Sequence, residues 1–149
     1  MEIPTHLSHK PIVKLEEYSQ LDGRFKNKTD AEGLSIGLAQ WNSQGNTDLS
    51  AKVWRYTGEK WSRQSEELPL HRVLDLASLI CASICYAKND MLPIHDDFHI
   101  SLAKNNQLIA LLKAGIDKEN GDDNNLDKSL TRLAKYLKDL GYTNSKIIL

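Results

Sequence analysis

The sequence predicts an α+β fold: a small antiparallel sheet of about three strands packed on a layer of about three helices. Three observations carry that expectation. Residues 34–41 and 49–56 each alternate between two kinds of side chain, on either side of a Gly/Asn-rich run, which is the pattern of a hairpin. Residues 67–87 carry apolar side chains at helical spacing around most of a circumference. Leu126, Leu130, Leu133, Leu137 and Leu140 recur every three or four positions and stop at Gly141.

In chain order, residues 1–10 read as a loose lead, and Pro11 opens a short edge strand over 11–15, where a proline is tolerated. Residues 16–33 hold the turn chemistry of Asp22-Gly23 and Asp30 to Gly33, with Arg24, Lys26 and Lys28 between, and read as a basic loop. In the next strand Leu34, Ile36 and Leu38 point one way and Ser35, Gly37 and Ala39 the other. The second face has so little side chain that another element must approach it closely, and a packed helix is the expected one. On 49–56, Lys52, Trp54 and Tyr56 share one face, and Ala51, Val53 and Arg55 share the opposite face, which is expected to meet the core. Residues 60–63 supply the third strand after the turn at Thr57-Gly58-Glu59.

Ser65, Glu66, Glu67 and Pro69 make a helix start, with a capping hydroxyl, acids at the positive end of the dipole and a proline in the first turn. That helix, running to Ala87, is expected to be buried and central. A second helix runs from Asp96 or Ser101 to Ala114, with Gly115 as its stop. Residues 117–125 form a polar loop holding pieces of a calcium loop without its spacing. The final helix precedes an apolar tail, Ile147-Ile148-Leu149, expected to dock on the body or on a partner.

At 149 residues the chain fits a single domain, 1–149. A net charge of −1 excludes recruitment of nucleic acid or a membrane by a global field, so any anion site has to be a local patch. The start lacks the pattern of a secretory signal. The apolar stretch 74–87, interrupted by Asp75, Ser78 and Ser83, reads as too short to span a bilayer, so no membrane partner is expected. Cys81 and Cys85 read as small core residues in a reducing compartment, which points to the cytoplasm.

The densest cluster of chemistry is 52–63, Lys-Val-Trp-Arg-Tyr-Thr-Gly-Glu-Lys-Trp-Ser-Arg. If exposed, Trp54 and Tyr56 form a stacking platform about 7 Å long. Lys60, Trp61 and Arg63 border it, and Arg24 and Lys26 are within its reach in sequence terms. Such a platform suits a phosphorylated or nucleotide-like partner, a nucleic-acid strand included. The same aromatics would also serve as the packing ladder of a sheet or a dimer interface. A second constellation places His71, Asp75 and Ser78 on one face of the central helix. There His71 would be a general base oriented by Asp75, with Arg63 or Arg72 holding an anion. Ion pairing of Arg72 with Glu66 or Glu67 accounts for the same residues without catalysis. A third is His95 and His99, which share a face if helical, with Asp96 or Asp97 adding an oxygen for a metal. No phosphate loop or nucleophile elbow occurs, and no cofactor is expected.

Residues 50–55, the run from Thr57 to Ala77 and the strand at 34–41 resemble a family of small uncharacterised bacterial cytoplasmic proteins. The resemblance covers the first half of the chain. It implies a bacterial origin and a compact single domain, and it implies no activity.

The sequence therefore reads as a binding or regulatory module for an anionic partner, acting as a homodimer, rather than as an enzyme. One alternative is a small hydrolase or phosphoryl-processing enzyme using His71 and Asp75, metal-assisted at His95, Asp96 and His99. The other is an obligate homodimer with no small ligand. If Trp54 and Trp61 are both buried in the core, the platform does not exist.

Overall fold

Four strands, β1 (Lys10–Glu16), β2 (Ala31–Leu38), β3 (Leu49–Arg55) and β4 (Glu67–Pro69), form an antiparallel meander in that spatial order. With three helices they make the expected α+β fold, with one strand more than expected. The computed structural model describes residues 1–142, so the tail at 147–149 lies outside the described residues. The chain divides into two compact units, Met1–Ser101 and Leu102–Leu149.

The extra strand comes from residues assigned above to the helix start. Residues 60–63 form no strand: Tyr56 bridges Trp61, and the Thr57 amide donates to the Lys60 carbonyl at 2.9 Å, which closes a tight turn. The returning chain then pairs Glu67, Leu68 and Pro69 with Lys52, Ala51 and Ser50. Pro69 ends the strand because it has no N–H to continue a ladder. Its φ of −57° already suits the helix that follows, α1 (Leu70–Asn89). The basic loop is shorter than expected. Two 3-10 turns, Tyr18–Gln20 and Gly23–Phe25, occupy it, and β2 begins at Ala31.

Burial alternates without a break along β2, with Ala31, Gly33, Ser35 and Gly37 on the covered face. Across from them on β3, Ser50, Lys52 and Trp54 are buried while Ala51 and Val53 are half-buried. The deeper face is thus the small-residue face shared with Trp54, opposite to the expected one. Its cover is the N-terminal lead and not a helix. Ile3 and His9 are 1% and 2% exposed, so the lead is docked and not loose. Glycine on β2 makes the docking possible: a Cβ on Gly33 would lie 2.6 Å from Ile3 Cδ1.

Helix α1 lies against β3 and β4, yet its buried residues are Ala82 and Ile84 alone. Val73, Leu76 and Ile80 are 36%, 46% and 49% exposed, so the helix is not the buried centre of the fold. The reason is competition for one surface, since the lead already fills the sheet face that α1 was expected to cover. Cys81 is half-buried and Cys85 exposed, which corrects the core reading of Cys85. The helix extends past 74–87 at both ends. It has 20 residues, and an 18-residue window within it has a mean hydropathy of 1.4, long and apolar enough to cross a bilayer by length and composition.

In the second unit, α2 (Asn106–Asn120) starts later than expected because Asn105 caps it. The Asn105 carboxamide oxygen accepts from the Gln107 and Leu108 amides at 3.0 and 3.2 Å. Gly115 sits inside the helix, and the stop is Gly121 at φ 63°, which shortens the polar loop. Helix α3 (Asn125–Asp139) follows the leucine repeat and packs on α2, with the Asp127 amide donating to Asn120 Oδ1 at 3.0 Å.

Candidate functional site

Register assembles the site. Ser35 on β2 stands opposite Lys52 on β3, which stands opposite Glu67 on β4. One step along, Gly37 faces Ser50, and in the other direction Gly33 faces Trp54. Alternation places all of these side chains on one face. Gly33 admits Ile3 and Gly37 admits the backbone at Lys10, and the lead sets His9 over Ser35 and Ser50.

The side chains then form a directed chain of hydrogen bonds. Trp54 Nε1 donates to Ser35 Oγ at 2.7 Å, and Ser35 Oγ lies 3.0 Å from His9 Nε2. His9 Nδ1 lies 2.9 Å from Ser50 Oγ, which donates to Glu67 Oε2 at 2.8 Å. As a carboxylate, Glu67 can only accept, so the Ser50 proton is committed to it and Nδ1 must carry the histidine proton. Nε2 is then bare and accepts from Ser35. In this arrangement every proton is used once, with His9 neutral. Burial lowers the His9 pKa, against the pull of Glu67, and so favours that same form.

Serine, histidine and glutamate resemble the members of an acyl-transfer triad, with Ser50 interposed between His9 and Glu67. Ser35 nevertheless cannot serve as a nucleophile here. It is 4% exposed, and its oxygen already accepts from Trp54 and donates to His9. The array is a latch that holds the lead on the sheet.

Beside the latch opens a cavity of about 430 Å³. His6, Leu7, Ser8 and His9 of the lead line one part of it, the buried Lys52 and Glu67 form the floor, and Gln40, Ser62 and Arg63, which keep solvent exposure, lie at the rim. Glu67 Oε2 is saturated, since it also accepts from the Gln40 amide at 2.8 Å. Its other oxygen, Oε1, is buried and has no hydrogen-bond partner among the described residues. The nearest cation, Lys52 Nζ, is 3.9 Å from Oε1, and both side chains are more than nine-tenths buried. Lys52 Nζ donates to Ser65 Oγ at 3.0 Å and lies 5.0 Å above the Trp54 ring. Burial pulls the Lys52 pKa below its ordinary value, against Glu67 and Glu66. Arg63 is exposed at the rim and makes no hydrogen bond or ion pair among the described residues.

Of the residues singled out in the sequence, the cavity includes Arg63. Trp54 is 0% exposed and offers no face to a ligand, which removes it from the expected platform, while Trp61 is half-buried. The aromatics instead form a ladder of edge contacts: Trp54 to Trp61 at 6.0 Å, Tyr56 to Trp61 at 5.3 Å and His9 to Trp54 at 5.8 Å. Tyr56 and Trp61 belong to this ladder, and neither they nor Lys60 line the cavity. Arg24 sits over the Phe25 ring, and Lys26 is exposed in the loop before β2.

His71, Arg72 and Asp75 are exposed on α1 outside the cavity lining. The expected partners of Arg72 are taken: Glu66 binds Arg55 Nη2 at 2.9 Å, and Glu67 belongs to the latch. Arg55 also binds Asp30 at 2.6 Å, and these two acids hold its guanidinium charged. His95 and His99 are not helical. Asp96 has φ 52° in a turn bridged by His95 and Phe98, so the shared face required for a metal does not form. Among the described residues no group of three His, Cys, Asp or Glu side chains could hold a metal ion.

Sequence reading missed His9, Ser50 and Glu67. One signal pointed toward His9: a strand face of Ser35, Gly37 and Ala39 requires a close neighbour. Glu67 carried the opposite signal, that of a helix start. No curated protein and no solved structure matches the chain. One family's sequence model runs through both units and matches residues 1–142. The chain belongs to that family, a family of unknown function designated DUF6530.

Proposed function

We propose that this protein is a binding module for a small anionic ligand held in the cavity beneath its N-terminal lead. The observation that carries this reading is Arg63, a guanidinium without a hydrogen-bond or ion-pair partner among the described residues, at the rim of a cavity whose floor holds a second cation, Lys52. Lys52 is balanced by Glu67 and His9 is neutral, so the local charge is about +1, enough to attract one anionic group. Ser62, Gln40 and His6 add donors around the same space. Because Arg63 is exposed, its removal should leave the fold intact. Sodium phosphate at millimolar concentration and constant ionic strength is expected to raise the melting temperature by several degrees, and Arg63→Ala to abolish that rise. Either no rise in the wild type or an undiminished rise in Arg63→Ala would refute the anion site.

A second reading, self-association, is favoured by the exposed apolar residues of α1. Val73, Leu76, Ile80, Ser83 and Ala87 follow one another at intervals of three and four, three large residues and then two small ones. A second copy of α1 laid antiparallel across Ile80 sets the large end of each stripe against the small end of the other, which makes the surface self-complementary. Light scattering is expected to give a dimer for the wild type and a monomer for Ile80→Glu, an exposed site that tolerates the charge. A monomeric wild type, or co-flotation of the protein with lipid vesicles through the same residues, would exclude this pairing.

A further inference from the structure

We infer that the cavity takes a phosphorylated sugar or polyol, with the phosphate on Arg63 and Lys52 and a ligand hydroxyl donating to Glu67 Oε1. This rests on the anion site proposed above and narrows its ligand. The starting point is a carboxylate oxygen that has an ion-pair neighbour in Lys52 but no hydrogen bond among the described residues. Glu67 has a side chain 1% exposed and faces the cavity, and its Oε1 accepts nothing from the described residues. Buried carboxylate oxygens are nearly always hydrogen-bonded, so this one asks for a donor from outside the chain.

The donor is a hydroxyl and not an ammonium. Lys52 Nζ already stands 3.9 Å from Oε1, so an incoming ammonium would be pressed against an existing cation in a poorly solvated space. A neutral hydroxyl supplies the hydrogen bond without a second charge. Beyond Glu67, the walls present hydroxyl, amide and imidazole groups from Ser8, Ser62, Gln40 and His6, and Leu7 is the one apolar side chain among those that line the cavity. Small-molecule sites are usually lined by apolar and aromatic side chains. A lining this polar matches a ligand that carries hydroxyls over most of its surface.

The same lining disfavours a nucleotide. A base needs a flat apolar or aromatic wall; among the described residues no Phe, Tyr or Trp lines the cavity, and Trp54 is fully buried against Lys52 and Ser35. At the rim, the planar guanidinium of Arg63 can grip two phosphate oxygens at once, and Lys52 retains donors beyond the one committed to Ser65. A phosphate bound there closes the open side of the cavity and leaves the sugar over Glu67.

The test is calorimetric titration of the full chain with glucose 6-phosphate, glucose, sodium phosphate and adenosine monophosphate. Glucose 6-phosphate is expected to bind at least tenfold tighter than phosphate and tighter than adenosine monophosphate. In Glu67→Gln the amide oxygen can keep the bonds to Ser50 and to the Gln40 amide and turn an NH₂ toward the cavity. Because it also removes the charge that balances Lys52, this variant should bind phosphate at least as tightly as the wild type while losing the tenfold preference for the sugar phosphate. Equal affinity for phosphate and glucose 6-phosphate overturns the inference and leaves the anion site standing. So does tighter binding of adenosine monophosphate, or a Glu67→Gln protein that keeps the preference. Failure of every anion to bind the wild type removes the anion site and this inference together.

Discussion

Gly37→Ala is expected to destabilise the protein by about 3 kcal/mol or more, the upper end of what overpacking costs. A Cβ at this position would overlap the Lys10 carbonyl oxygen and lie 2.7 Å from Lys10 C and 2.8 Å from Pro11 Cα. All three are backbone atoms of β1, which cannot rotate aside as a side chain can. Gly37 pairs with Pro11 just where the ladder between β1 and β2 shifts register, so relief requires β1 to peel away from its neighbour. Gly33→Ala is the control. Its closest clashes are with Cδ1 and Cγ1 of Ile3, at 2.6 and 2.8 Å, and that side chain can swing, so the loss should be smaller. Urea denaturation followed by circular dichroism measures both. A Gly37→Ala protein within about 1 kcal/mol of wild type would show that β1 does not sit this close to β2.

Trp54→Ala should cost about 3–5 kcal/mol, and Trp54→Phe about 1–3 kcal/mol, because the two remove different things. Alanine empties a fully buried site and breaks the edge contacts to His9 and Trp61. Phenylalanine keeps most of the volume but withdraws the indole N–H that feeds Ser35, so the latch loses its first donor. Thermal and chemical unfolding should rank them wild type, Phe, then Ala. If Trp54→Ala unfolds within about 1 kcal/mol of wild type, the tryptophan is not core, and the exposed platform regains its standing.

These two residues also show what could be read from the sequence. Alternation assigned Ser35 and Gly37 to one face and Trp54 to the face shared with Lys52, and the structure keeps both assignments. The hairpin between β2 and β3 and the leucine repeat of α3 were legible for the same reason, since each is set by spacing between near neighbours in the chain. The meaning of each face was not legible. Trp54, surrounded by cations in sequence, reads as a surface aromatic, and it becomes the most buried large residue because the lead crosses over it. Glu67 reads as an acid at a helix start, and it becomes the buried end of a hydrogen-bond chain because Pro69 delays the helix to Leu70.

Period and turn chemistry, which act between neighbours in the chain, were enough to settle the α+β class, the order of most elements and which side chains share a strand face. They also revealed that something had to lie close above Ser35, Gly37 and Ala39. Which segment does so, and therefore where the cavity forms, depended on contacts that no local pattern encodes. His9 reaches Ser50 across 41 positions and Ser35 across 26, and Glu67 reaches Ser50 across 17. Such pairings are chosen by the register of a whole sheet and by competition between the lead and α1 for a single face. That competition is decided by how closely a backbone can approach glycine, which is a property of the assembled surface.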